Sequence, residues 1–390
     1  MKDVFIVDGL RTPIGGLNKG LKDVPAVCLG SIVIKALLKK NNLDAAAVDE
    51  VILGNAVGAG LGQNPARQSL IQAGLSAEIP AFTVNKVCGS GLKAVILSAQ
   101  AIACGDSDII IAGGAESVSQ SPRLIPRDKK LEGIKKEDLK SSLINDGLLC
   151  TINNMHMGQI AEYTAEKFKI SREEQDYYAL GSHNKACAAQ AKGFLQKEIV
   201  PVEENGKLLL NIDEKPRPDT SIKKLSMFPP AFKANGTVTA GNSSAPADGA
   251  AALIVSSRKG LKKSGAAPVA RILGYASVAV EPKLVFTAPA LAVKKCLKVS
   301  SLKTSDVELF EINEAFAVQA ILTIKHVGID MDRLNVFGGT IAFGHPLGAS
   351  GSRGLVTLIN SLRSQNKKTG VFSICLGGGC ALSVAVRIMN

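Results

Sequence analysis

A cysteine, a histidine, a second cysteine and an asparagine each stand at a corner that follows an apolar run in this 390-residue chain. In Thr83-Val-Asn-Lys-Val-Cys-Gly-Ser-Gly-Leu-Lys-Ala94 a short strand runs into Cys88, and Gly89, Ser90 and Gly91 turn the chain. Residues Leu92 to Cys104 then follow at helical spacing. Cys88 at a helix N-terminus would be a nucleophile, because unpaired N–H groups and the helix dipole stabilise a thiolate. A buried structural cysteine is the alternative. His345 lies between Gly344 and Pro346 in a second glycine-rich corner, Gly338 to Gly351. It could activate a thiol or donate a hydrogen bond to a developing oxyanion. Ser373-Ile-Cys-Leu-Gly-Gly-Gly-Cys380 ends a strand at three glycines. Such a run exposes backbone N–H groups, as an oxyanion hole requires. Cys375 at its edge reads either as an acid/base or as a core cysteine, and Cys380 as packing. Asn313 in Asn313-Glu-Ala-Phe316 either caps a helix or holds a water or polarises a carbonyl.

The elements that must position these residues form two similar regions. Residues 1–117 alternate strands (Val4–Val7, Glu50–Gly54, Phe82–Val87, Asp108–Ala112) with helices (Val27–Lys39, Ala66–Gln72, Leu92–Cys104). Strands apolar on both sides and separated by helices predict a parallel sheet covered on both faces. From Ser117 to about Pro246 the texture is loop-like and basic, with helices expected at Glu162–Phe168 and Arg172–Lys192. The charged run Lys135-Lys-Glu-Asp138 reads as solvated surface or as an anion contact. From about Val269 the α/β texture returns. Strands are expected at Ala270–Ala279, Val307–Ile312, Leu334–Phe337, Gly370–Cys375 and Ala381–Ile388, and helices at Ala290–Leu297, Ala315–His326 and Gly351–Leu362. Asn55 precedes Cys88 by 33 residues, and Asn313 precedes His345 by 32. Val48–Asn55, Val84–Ala94 and Ile109–Ala115 are echoed in order by Asp306–Asn313, Asn335–Gly351 and Phe372–Ala381, and these three echoes predict a duplicated unit whose facing halves would bring Cys88 together with Asn313, His345 and Cys375.

The bulk numbers narrow the partner. A formal charge of +12 favours an anion, either nucleic acid or a phosphorylated small molecule. Trp is absent and aromatics make up 4%, which speaks against base stacking. The eight cysteines are dispersed with no Cys-x-x-Cys pair, and the four histidines form no cluster, so no metal site or disulfide framework is expected. Free thiols suit a reducing compartment, and a strand at the N-terminus leaves no targeting segment, so a cytoplasmic location is expected. No uninterrupted apolar run approaches the roughly 18 residues of a membrane span.

Four motifs in order resemble the thiolase family over essentially the whole length: Val87-Cys-Gly-Ser-Gly-Leu-Lys93, Asn313-Glu-Ala-Phe316, Gly344-His-Pro-Leu-Gly-Ala-Ser-Gly351 and Cys375-Leu-Gly-Gly-Gly379. The resemblance implies an α/β thiolase fold, with two similar βαβαβαββ units in a five-layered αβαβα core and an inserted loop domain. The units would be residues 1–117 with 247–268, and 269–390; residues 118–246 would be the loop domain for coenzyme A and oligomer contacts. It implies reversible condensation of two acetyl-CoA to acetoacetyl-CoA plus CoA, ping-pong through S-acetyl-Cys88. His345 would lower the Cys88 pKa, and Cys375 would be the second acid/base. His345 and a water on Asn313 would stabilise the enolate-like oxygen, and the N–H groups of Cys88 and Gly377 would form a second oxyanion hole. Ser244 and His156 would contact the CoA arm, Met157 would line the acyl pocket, and Leu148, Phe232, Ala315 and Phe316 would wall the channel. The resemblance implies no cofactor or metal beyond CoA as substrate, and a homo-oligomer, either tetramer or dimer.

Ala245-Pro-Ala-Asp-Gly249, Val285 and Phe286 depart from the family pattern and bear on loop shape and pocket size. A 3-ketoacyl-CoA thiolase of broader chain length is therefore the near alternative. A decarboxylating ketoacyl synthase-like enzyme is the alternative of another reaction class. A nicotinamide oxidoreductase lacks its Gly-x-Gly-x-x-Gly after the first strand, and no nucleic-acid module is recognisable.

Overall fold

The computed structural model describes residues 3–125, 135 and 138–389. Much of the basic stretch after Pro122, including the middle of the Lys135–Asp138 run, lies outside them. The strands of the core are β1 (Val4–Arg11), β2 (Glu50–Gly54), β3 (Ala81–Val84), β4 (Ile109–Glu116), β5 (Ala247–Ser257), β6 (Ala270–Ala279), β7 (Leu309–Ile312), β8 (Thr369–Leu376) and β9 (Cys380–Ile388). The main helices are α1 (Ala26–Lys40), α2 (Pro65–Gln72), α3 (Ser90–Cys104), α4 (Met157–Phe168), α5 (Arg172–Ala191), α6 (Ala288–Val299), α7 (Ala317–Val327) and α8 (Leu347–Ser364).

The nine strands run in the order β7-β8-β9-β6-β1-β5-β4-β2-β3. The two halves share one pattern, in which β2 is parallel to β4 as β7 is to β8 and antiparallel β5 and β9 follow, while β3 has no counterpart strand among the described residues of the second half. A short antiparallel pairing of β1 with β6, through Phe5 and Ile6, joins them. The expectation of a parallel sheet is therefore corrected to a mixed one. A strand covered on both faces is apolar on both faces whichever way it runs, so the pattern carries no direction. β5 itself was not anticipated as a strand; it separates β1 from β4 and is antiparallel to both.

Alternate residues of each strand supply different cores. Ile109 and Ile111 pack with α1 and α2 on one outer face, while Ile110 and Ala112 pack inward with α3 and α8. On the other half, Val371 and Cys375 face α6 and α7, and Phe372 and Ile374 face α3 and α8. The layers are thus helix, sheet, the α3/α8 pair, sheet, helix. By length and composition Val87–Cys104 would suffice to cross a membrane, yet it is the helix enclosed between the two sheets. A methyl on Gly351 would stand 2.4 Å from the Leu92 backbone nitrogen, so only glycine lets α3 and α8 approach this closely.

The expected strand Leu334–Phe337 is also corrected. Only Leu334 bridges to Phe310, and Asn335 then turns left-handed at φ 42°. The Asn335 side chain replaces the missing ladder: its Oδ1 accepts from Ile312 N at 2.7 Å and its Nδ2 donates to Ile312 O at 2.9 Å. The inserted segment is pinned to the core at Arg11. This buried guanidinium donates to both oxygens of Asp213, at 2.7 and 2.8 Å, and to Glu198.

Candidate active site

The turn that carries Cys88 is strained and clamped. Val87, a β-branched residue, is left-handed at φ 50°, which costs on the order of 1–3 kcal/mol and persists only when its surroundings impose it. Asn85 Oδ1 accepts from Val87 N at 2.9 Å, and Ser90 Oγ donates to Val87 O at 2.6 Å while accepting from Lys86 N at 2.8 Å. This delivers Cys88 just ahead of α3, with its own N–H and that of Gly377 aimed at the sulfur.

From the other half, His345 is held by a backbone bond to Ala245 O and by Ser350, whose Oγ lies 2.6 Å from Nδ1. The single Ser350 hydroxyl proton goes to Pro346 O, so toward the imidazole Ser350 accepts. That assigns the proton to Nδ1 and leaves Nε2 as a lone pair, buried with no partner among the described residues.

One cavity of about 100 Å³ is bounded by Cys88, His345, Cys375 and Gly377 at its reacting end. Leu148, His156, Met157, Phe232, Ser244, Ala315 and Phe316, all expected from sequence, line the same cavity, together with Val285, Phe286, Leu347 and Leu376. Asn313 does not line it. It directly follows β7, bonded through its N–H to Ser373 O, and both amide atoms are buried without a partner among the described residues. It is not a helix cap, since α7 begins four residues later behind Phe316.

Residues 4–259 match the model of the thiolase N-terminal domain and residues 266–388 that of the thiolase C-terminal domain. The chain belongs to the thiolase family. It is 44% identical over 392 residues to the acetyl-CoA acetyltransferase of Allochromatium vinosum, covering 100% of each chain. It is 45% identical over 390 residues to the probable acetyl-CoA acetyltransferase of Escherichia coli (strain K12), covering 99% of each. The crystal structure of the Bacillus anthracis acetyl-CoA acetyltransferase superposes with a TM-score of 0.96 at 35% identity, over 100% of this chain and 99% of that one. The chain is thus an acyltransferase of the thiolase fold.

The electrostatics of this thiolase site run against a standing thiolate. Burial, and then the nearby Glu116 carboxylate, push the Cys88 thiol up to about 12, although the two N–H groups pull it down. Burial and the Arg353 charge push His345 down to about 3. Burial and the proximity of Cys88 push the Cys375 thiol up as well. At neutral pH the site therefore holds two thiols and a neutral imidazole, rather than a cysteine already ionised by His345 and the helix dipole. Cys88 is half-buried, open only to the cavity, and the protein packed around that cavity removes enough water for desolvation to outweigh the helix dipole.

The wall is built by aromatic contacts. The His156 ring stacks on Phe232 at 5.1 Å, and Phe286 meets Phe316 edge-on at 5.3 Å. His156 caps α4, accepting from Gly158 N at Nδ1, so its Nε2 carries the proton. The helix therefore begins at Met157, five residues before the expected start. Ser244 donates its hydroxyl to Ala315 O, which leaves its oxygen as an acceptor. A second cavity of about 360 Å³, lined by Lys215, Arg217 and Lys224, abuts Ser243 and Ala245, the neighbours of Ser244. Sequence reasoning missed Glu116; a lone Glu after an apolar strand gives no signal of the loops that fold onto it.

Proposed function

We propose that this chain is a short-chain acetyl-CoA C-acetyltransferase that interconverts two acetyl-CoA with acetoacetyl-CoA and CoA. The observation that carries the reading is the convergence of Cys88, His345 and Cys375 from both halves on one small, aromatic-walled cavity. The names of the Allochromatium and Escherichia relatives support it.

Cys88 gives its proton to the bare Nε2 of His345 as its sulfur attacks the acetyl carbon. The N–H groups of Cys88 and Gly377 receive the carbonyl oxygen as it gains charge. The CoA sulfur departs with the Cys375 proton. Once acetylated, Cys88 can carry no charge to oppose ionisation of Cys375, so the two sulfurs take turns as thiolates. The Cys375 thiolate then takes a proton from C2 of the second acetyl-CoA. Its enolate oxygen faces His345 Nε2–H, now a donor, and Asn313, whose unpartnered amide lies behind the cavity wall, acts on it only through a bridging water. The enolate carbon attacks the acetyl carbon, and Cys88 leaves and recovers its proton from His345. Ser244 and His156 are suited to accept from and donate to the amides of the CoA arm, and Lys215, Arg217 and Lys224 to meet its phosphates.

Mass spectrometry after incubation with acetyl-CoA tests the reading. The expected result is one acetyl group on the Cys88 peptide and none in Cys88→Ala. Labelled acetyl still bound covalently to that variant overturns the nucleophile assignment.

A further inference from the structure

Glu116 is the last residue of β4 and is fully buried. Its Oε1 accepts from Asn55 Nδ2 at 2.8 Å and Val57 N at 3.2 Å. Its Oε2 accepts from Ala56 N at 3.0 Å and, across the boundary between the halves, from Gly348 N at 2.7 Å. Gly348 is the second residue of α8, a helix whose own cap position is Pro346 and which has no side-chain cap of its own. The Glu116 carboxylate thus satisfies an orphan N–H at the positive end of a helix that belongs to the other half.

Two chains of contacts leave this carboxylate. In one direction the Ala56 carbonyl accepts from Asn85 Nδ2 at 3.1 Å, and Asn85 Oδ1 holds Val87 N, next to Cys88. In the other, Gly348 lies three residues from His345, and Pro346 O and Ser350 fix the imidazole. We propose that Glu116 is a positioning residue that sets the His345 loop in register with the Cys88 turn, and that only its ionised form does so. A protonated carboxyl turns one acceptor oxygen into a donor, so a proton on Oε1 releases Val57 N, whose peptide carries the Ala56 carbonyl of the first chain, and a proton on Oε2 releases Gly348 N of the second.

Burial raises the Glu116 carboxyl to about 7, against the four hydrogen bonds that lower it, so the switch falls in the working range. The groups around it are few. Cys88 faces it from the nucleophile turn; His345, held neutral, and Arg353, paired with Glu311, lie on the α8 side. On β5, Asp248 precedes the residue paired with Glu116; it bonds to Ser119 and is itself raised to about 6.

The inference rests on the acetyltransferase reading, and the test separates the two. Acetoacetyl-CoA cleavage is measured from about pH 5.5 to 9 for the wild type, Glu116→Gln and Asp248→Asn, with wild-type acetylation checked by mass spectrometry. If the wild type is neither acetylated nor active, the acetyltransferase reading fails and this inference falls with it. The expected result is a wild-type acid limb in kcat near pH 7 that Asp248→Asn keeps. In Glu116→Gln the limb is absent, kcat at the plateau is about tenfold lower or worse, and KM stays within about twofold. An active wild type with no acid limb, a limb lost in Asp248→Asn, or Glu116→Gln matching the wild-type kcat and profile overturns the inference alone. Should Glu116→Gln not fold, the wild-type limb and its survival in Asp248→Asn decide the matter.

Discussion

The contact between Gly89 and Leu376 is where one methyl should separate the halves of the site. Gly89 has φ −92°, which alanine adopts freely, so Gly89→Ala acts only through the added carbon. That carbon would stand 2.0 Å from Leu376 Cδ2 and 3.1 Å from Cγ. Carbon atoms rest at about 3.5–4.0 Å, so the contact must open by roughly 1.5 Å. Leu376 is 1% exposed on β8, between Cys375 and Gly377, and the open space beside it is the acyl cavity it lines, so turning its side chain away narrows the site itself. Overpacking of this kind costs about 1–3 kcal/mol of stability. If the gap opens by moving Cys88 from Gly377, a displacement of about 1 Å lowers turnover on the order of 100-fold. Acetoacetyl-CoA cleavage and urea unfolding would be measured for Gly89→Ala, Leu376→Ala and the double variant. Leu376→Ala alone loses about 2–5 kcal/mol of stability, and the double variant should recover part of the rate lost in Gly89→Ala, with coupling of about 0.5–3 kcal/mol. A Gly89→Ala enzyme within about twofold of wild-type kcat, or effects that simply add, refutes the reasoning.

Cys375→Ser should still accept acetyl on Cys88, while condensation falls by about 10²–10⁴, because a hydroxyl is a far weaker acid than a thiol; full condensation in a coupled assay would remove Cys375 from the base role. Phe286→Ala should cost about 3–5 kcal/mol in urea unfolding and raise cleavage of longer 3-ketoacyl-CoA relative to acetoacetyl-CoA, since Phe286 closes the cavity against Phe316. An unchanged chain-length ratio would place the limit elsewhere. Burial, with Arg217 and Lys215, holds His183 down to about 4, below its unfolded value. Its neutral form therefore supports the fold above about pH 6.5, and that support is lost as pH falls toward 4. Between pH 7 and pH 5 the wild type should lose about 2 kcal/mol more than His183→Gln, and equal losses in urea unfolding would show that His183 is not held neutral.

The sequence alone determined which residue types stand at which corners. Strand-to-helix turns at Cys88 and His345, the glycine run after Cys375 and the repeated spacing are local signals. They pointed to Cys88, His345 and Cys375, and the resemblance to the thiolase family that they carry implied Gly377 and the seven wall residues, which line the same cavity; Asn313 does not. Only tertiary structure decided three further matters. The direction of β5 depends on which strands it meets, and two-sided burial erases that from the pattern. Asn335 stands in for a strand because its side chain reaches the Ile312 backbone across the half. The ionisation of the site depends on how much water the fold removes and on which charges it brings near. Glu116 opposes the Cys88 thiolate from 28 residues away in sequence, and Arg353 opposes the His345 imidazolium. Desolvation is a property of the closed interface between the halves, and no local stretch of sequence records it.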